Sequence, residues 1–146
     1  VERYADVIEE AKPLLARHWE EIALFKDKVK LAPDYDKYAE LAEGGNLHIC
    51  TVRSDGELIG YHAAFLSNHP HYKNDLMALT DIFYLTPEFR RGLLGFRFFR
   101  FIEGELKKLG VVKMMAGSKT SLDLRVLFIR LGWIETDIMH GKYIGD

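Results

Sequence analysis

The twenty residues 81–100, DIFYLTPEFRRGLLGFRFFR, constrain this chain more than any other stretch. They read as a buried strand, a short turn holding Pro87 and Gly92, and then a helix. The helix signal is Leu94, Phe98, Phe99, Ile102, Leu106 and Leu109, spaced three and four apart. Charge sets the stretch apart. Arg90 and Arg91 precede the helix, and Arg97 and Arg100 lie in its first turns, where the macrodipole already carries positive partial charge. Each such cation is unfavourable by roughly 0.3–1 kcal/mol. Four arginines there point to an anion, because the free N–H groups of a helix start form a phosphate cradle. A solvated basic face, offset by Glu88, Glu103 and Glu105, is the plainer alternative.

With 146 residues the chain is expected to form one domain, 1–146, around one core. Apolar residues make up 48%, which excludes disorder. The formal net charge is only -2, so no global basic field points to nucleic acid, and the arginine cluster is local. The one cysteine, Cys50, rules out a disulfide framework within the chain and suits a reducing compartment. No apolar run reaches membrane-spanning length, and the opening Val1-Glu2-Arg3-Tyr4 does not resemble a signal peptide. A soluble, cytoplasmic protein is expected.

From Tyr4 to Phe25 apolar residues follow the helical period, interrupted by Pro13, which either kinks the helix or sits near the start of a second one. His18 and Trp19 lie beside that stripe and read as a packed aromatic pair. Asp34 is a plausible cap for a short helix carrying Tyr35, Tyr38 and Leu41, ended at Gly44-Gly45. Strands follow at 47–52 and 58–66, joined by the hairpin signal Ser54-Asp55-Gly56. Residues 67–75, SNHPHYKND, read as a polar loop suited to the wall of a substrate pocket. Its His69 and His71 lack a third ligand at a recognisable spacing, so no metal is expected. A strand at 77–85 enters the opening feature. After its helix, Gly110 and a strand at 111–116 imply a right-handed crossover and a parallel pair. Ser121 is expected to cap a helix bearing Leu124, Leu127, Phe128 and Leu131, and 133–144 reads as extended. This order describes an α/β (α+β) domain on one mixed sheet, antiparallel strands followed by a parallel βαβ unit.

The strand, then Thr-Pro-Glu-Phe-Arg-Arg-Gly-Leu-Leu-Gly, then helix resembles the acetyl-CoA pyrophosphate loop of the GCN5-related N-acetyltransferases, the GNAT superfamily. Arg90 and Gly95 stand at the first and last motif positions. Leu93 replaces the middle glycine, and Gly92 stands one place early, a variant resembling a bacteriophage-type subgroup. A second block, Leu127-Phe128-Ile129-Arg130-Leu131-Gly132-Trp133, resembles the later family motif ending Leu-Gly-Phe.

The resemblance implies a GNAT-like acyl-CoA N-acyltransferase fold and an N-acetyltransferase that moves the acetyl group of acetyl-CoA to a primary amine, on a small molecule or a protein, by direct attack in a ternary complex. Pantetheine would lie against Phe83 and Leu85, and the pyrophosphate over Arg90, Arg91, Gly92, Leu93, Leu94, Gly95 and Phe96, with Phe128 also beside the cofactor. The family's usual glutamate base falls at Leu79. Asp81, two residues on, is the substitute, weighed against a purely structural hydrogen bond. Strand alternation sets Asp81 and Phe83 on the face opposite Tyr84. The family's tyrosine acid falls at Phe128, which cannot donate a proton, and Tyr143 in the final strand is the expected replacement. Glu21, His71 and Asp75 are candidate acceptor-binding residues. Dimers are frequent in this family, with 139–144 as an edge.

The absent glutamate and tyrosine also support a second reading, a CoA-binding or protein-interaction module without catalysis. A nucleotide protein would need a Lys-Ser/Thr pair after the glycines or a fuller Gly-x-Gly-x-x-Gly, and neither is present.

Overall fold

The computed structural model describes residues 1–145. Two helices, α1 (Tyr4–Ile22) and α2 (Tyr35–Glu43), precede three antiparallel strands, β1 (Leu47–Ser54), β2 (Glu57–His69) and β3 (Tyr72–Leu85). A 3-10 turn at Pro87–Phe89 leads to α3 (Leu94–Lys108), β4 (Val111–Met115) and α4 (Arg125–Arg130). The four strands form one sheet in the order β1-β2-β3-β4, with β3 and β4 parallel.

Local chemistry explains most boundaries. The Asp34 carboxylate accepts from the Lys37 N–H at 2.9 Å and caps α2. Asp55 (φ 50°) and Gly56 (φ 87°) both take left-handed conformations, as a two-residue hairpin turn requires. Pro13 lies inside α1 without ending it. It sits on the exposed side, where water replaces the hydrogen bond that proline removes.

Alternation divides the sheet into two faces. On one, Cys50, Ala64, Ala78 and Leu85 meet Phe98, Phe99, Ile102 and Leu106 of α3, forming the main core. Phe99 and Ile102 are fully buried, each contributing roughly 1.5–3 kcal/mol. On the other face, Val7 and Ala11 of α1 pack on Leu58 and Ile49.

Three expectations are corrected. The polar stretch 67–75 is largely strand: β2 continues to His69 and β3 begins at Tyr72, leaving a tight turn at Pro70-His71. Backbone pairing alone extends this hairpin past the core, irregularly, since the register shifts between Asn68 and His69. Ser121 does not cap α4. Ser118 Oγ instead accepts from the Leu124 N–H at 2.7 Å, and Asp123 accepts from the Arg125 N–H at 2.9 Å, so the helix starts later. Residues 133–145 form no strand, which removes the expected edge at 139–144 and leaves Ile134, Ile138, Met139 and Ile144 exposed.

Candidate active site

β4 pairs only with the first half of β3, from Leu76 to Leu79. Beyond that point the far edge of β3, residues 81–85, carries no strand among the described residues. An open edge of this kind offers unpaired peptide groups to an extended ligand. The edge runs directly into the turn and α3.

At the helix start, Leu93 makes no side-chain cap. The first intrahelical bond crossing the boundary is Arg97 N–H to Leu93 O, so the N–H groups of Leu94, Gly95 and Phe96 have no acceptor among the described residues. Gly92 has φ 77°, a conformation that turns the chain into the helix and favours glycine. Arg91 and Arg97 are exposed and make no ion pair among the described residues, whereas Arg100 is held by Glu103 at 3.1 Å.

Arg90 is placed otherwise. Its Nε donates to the Leu85 carbonyl at 2.7 Å, and its other nitrogens make a two-pronged bond to the Glu21 carboxylate. The guanidinium also lies 5.2 Å from the centre of the Tyr84 ring. Arg90 therefore ties the end of β3 to α1, and its bond holds the Glu21 carboxyl below the usual range. The structure joins these two residues to each other, with Glu21 bordering an open depression beside Tyr84 and Pro87.

On the α1/α2 face, Asp81 accepts a hydrogen bond from Tyr38 Oη at 2.6 Å. The register of β2 and β3 explains its direction. Ala63 pairs with Ile82 and Ala64 with Thr80, so Asp81 is the extra residue of a β-bulge. Thr80 bonds His62 on the α3 side, while Ile82 lines a cavity beneath α1. Tyr84 stacks on His18 of α1, with ring centres 4.8 Å apart. Asp81 and Tyr84 consequently face the same helical layer, which corrects the opposite placement derived from simple alternation. Phe83 stays on the other side, against Phe98 and Phe99.

The cavity beside Tyr38 measures about 370 Å3 and lies between α1, α2 and the sheet. Tyr4, Trp19, Tyr35, Tyr38 and Tyr61 supply aromatic walls. Sequence periodicity gave no sign of it, because a wall residue and a core residue share the same spacing. His18 and Trp19 also separate: Trp19 lines the cavity, whereas His18 is buried on Tyr61 and Tyr84, its Nδ1 2.9 Å from Tyr61 Oη. Burial pushes the His18 imidazole down to about 4, and the neighbouring Glu21 only partly opposes this.

The remaining candidates are scattered. Phe128 stacks on Trp133 with ring centres 4.8 Å apart and meets the edge of Phe99, so it packs against the main core. Tyr143 lies against Phe25 and under Lys28 Nζ, beside the connection that follows α1. His71 is exposed at the hairpin turn, where its N–H donates to His69 Nδ1, and Asp75 is exposed further along the same hairpin. Neither lines either cavity described here. Among the described residues, no three or more His, Cys, Asp or Glu side chains converge on a metal site. No helix of the described residues is long and apolar enough to cross a membrane.

A half-paired parallel strand, an uncapped helix start and a cavity across the sheet together make up the candidate site. No family model matches this chain, and no curated protein matches it. Solved structures do. An aminoglycoside acetyltransferase from an uncultured soil metagenomic sample superposes with a TM-score of 0.72 at 13% identity, covering 100% of this chain and 95% of the other. Glucosamine-6-phosphate N-acetyltransferase from Arabidopsis thaliana gives 0.70 at 15% identity, covering 99% and 95%. A predicted acetyltransferase from Clostridium acetobutylicum, solved with acetyl-CoA, gives 0.67 at 14% identity, covering 96% and 89%. The fold is that of the GNAT acetyltransferases.

Proposed function

We propose that this chain is an N-acetyltransferase, acting as one domain, that transfers an acetyl group from acetyl-CoA to a primary amine. One observation carries the reading. The open edge of β3 leads on one side to an uncapped helix start with Arg91 and Arg97 unpaired, and on the other to Asp81 beside a cavity. Acetyl-CoA, when bound, supplies an activated thioester carbonyl. The N–H groups of Leu94, Gly95 and Phe96, with Arg91, suit its pyrophosphate, and the β3 edge at Phe83 and Leu85 suits its amide-bearing arm.

Asp81 is assigned to hold the incoming ammonium and to take its proton. Its Oδ2 already accepts from Tyr38, and no protein donor to its Oδ1 is found among the described residues. Positioning the amine in that manner is worth several powers of ten as effective molarity, and proton removal about 10²–10⁴. Tyr38 is an additional positioning residue that sequence reading passed over as a helix-face aromatic. Arg90 acts through Leu85 and Glu21, keeping the strand end and the turn in register. We assign the chain to the cytoplasm on its single buried thiol, to the bacteriophage-type variant of the loop on Gly92, and homodimer contacts to the exposed apolar side chains of 134–144.

A specific observation favours a second reading, a binding module with weak or no turnover: Phe128 packs against the core and can donate no proton. Thiol release from acetyl-CoA with a panel of amines separates the two. Turnover is expected, and tight acetyl-CoA binding without turnover on any amine would leave only the module. In a thermal-shift measurement, acetyl-CoA is expected to raise the melting temperature of the parent chain but not of Arg91→Glu. An unchanged shift in that variant would remove the anion loop from the proposal.

A further inference from the structure

The cavity under α1 is built for a narrower class of amine than the fold requires. Its volume, about 370 Å3, is at the small end of ligand sites, roughly 300–1,000 Å3. Aromatic rings of α1, α2 and β2 line it, and Ile82 brings it to the residue following Asp81. Such walls hold a ring by offset or edge contacts, and an ammonium by cation–π attraction.

Charge is distributed unevenly around this cavity. Asp81, hydrogen-bonded to the wall residue Tyr38, is a single partly buried carboxylate at one end. Lysines border the rest. Lys30 is itself a lining residue and, among the described residues, bonds only to the Lys26 carbonyl. Lys12 lies 5.0 Å from the Tyr35 ring and Lys26 5.5 Å from the Trp19 ring, their charges offset by Glu9 and Glu20. Of the other acids of this layer, Asp34 caps α2, Glu10 pairs with Arg53 and Glu21 with Arg90, while Asp36 is exposed outside the cavity, where its charge acts on the wall residue Tyr4. One ammonium finds a partly buried counter-charge at Asp81, whereas a second would meet Lys30 in the lining and only exposed acids beyond it.

Resting on the acetyltransferase reading, we infer that the acceptor is an arylalkylamine, a small primary amine with one positive charge and an aromatic body. The ring fills the space between Trp19, Tyr35 and Tyr61, and the ammonium reaches Asp81. As the new carbon–nitrogen bond forms and the thioester carbon–sulfur bond breaks, the ammonium gives up two protons. One leaves through Asp81 to solvent, and the other ends on the departing CoA thiolate. Aminoglycosides are disfavoured by size, and polyamines by Lys30 in the lining and by the lack of an aromatic body.

Trp19 reports occupancy without any turnover. Phenethylamine, 2-phenylethanol and spermidine are titrated into the full chain while tryptophan fluorescence is followed, with Trp19→Phe as the control that removes the response. Phenethylamine is expected to bind at least tenfold more tightly than either of the others. Asp81→Asn, which keeps an acceptor for Tyr38, is expected to erase its advantage over 2-phenylethanol. Ala32→Trp, at an exposed lining position, is expected to block all aromatic binding while leaving the fold intact. Spermidine binding best, or no aromatic ligand disturbing Trp19, overturns the inference.

Thiol release from acetyl-CoA with phenethylamine, spermidine and sisomicin then separates the two layers of the proposal. Phenethylamine turning over fastest supports both. Turnover confined to the polycations retains the acetyltransferase and overturns this acceptor class. Phenethylamine bound through Asp81 but not acetylated, with acetyl-CoA bound, overturns the enzyme and leaves only an amine-binding cavity.

Discussion

His18 and His62 show how single side chains govern this protein's response to acid. Burial pushes the first imidazole down to about 4 and the second to about 3, whereas an unfolded histidine titrates near 6.5. Between those values the unfolded chain binds protons that the folded chain refuses. Stability is therefore complete above about pH 6.5 and is lost as pH falls through 4. Each histidine contributes a slope of up to about 1.4 kcal/mol per pH unit in that window. Urea midpoints should drop between pH 7.5 and pH 5.0, and His18→Phe, which keeps a ring on Tyr84, should flatten part of the decline. An unchanged slope in that variant would mean that His18 stays neutral for no energetic reason of its own. His62 has a second peculiarity: Nε2 meets Thr80 Oγ1 at 3.0 Å, but its buried Nδ1 has no partner among the described residues. None of this was legible beforehand, because a histidine on an apolar strand or helix face looks the same in sequence whether its nitrogens are paired or not.

At the scale of elements, much was legible, and the exceptions have physical causes. The strand–turn–helix of β3 and α3, the Asp34 cap and the Asp55-Gly56 turn follow from local chemistry and stand where expected. Long-range bonds were not legible. Arg90 was assigned to phosphate as a local helix-start cation, yet Glu21, 69 positions earlier in the chain, meets it. The bulge at Asp81 depends on how two strands share a ladder, which neither strand encodes alone. Gly60 gives another case of strand contact hidden from sequence. A Cβ there would sit 2.4 Å from the Leu85 side chain and 2.7 Å from the Tyr84 carbonyl. Gly60→Ala must push β3 away where its open edge begins to turn, at a cost of about 1–3 kcal/mol from overpacking. Chemical denaturation should show the loss, and acetyl-CoA affinity should fall with it. An alanine variant as stable as the parent would refute the close approach.

For the whole molecule, the core accounts for which parts are dispensable. The α3 face buries the largest side chains, and the α1 face is kept partly open by the aromatic cavity. The hairpin tip is exposed through residues 67–75 and adds nothing to either core cluster. Replacing 69–75 by a two-residue Asn-Gly turn, which joins the paired residues Asn68 and Leu76, should shift the melting temperature by only a few degrees, as a change near 1 kcal/mol does in a domain of this size. It also tests two acceptor candidates at once. If amine turnover survives, His71 and Asp75 act in neither binding nor catalysis, and a loss of turnover at constant stability would restore them to the site.

The supernumerary residue at Asp81 has a consequence for how this strand tolerates length change. Residues on either side of it count inward and outward from different origins, so the strand is two half-rulers joined by one spare mark. Removing Asp81 would not simply delete a carboxylate. It would also flatten the bulge: Thr80 and Ile82 would become neighbours opposite Ala64 and Ala63, each keeping its partner and its side, so Ala78 would stay in the core. The carboxylate proposed to take the amine's proton is thus the one residue of this stretch of β3 that the sheet can lose without exchanging its two faces, so deletion of Asp81 is expected to remove the acid and leave the fold, whereas deletion of Thr80 or Ile82 would disturb the pairing.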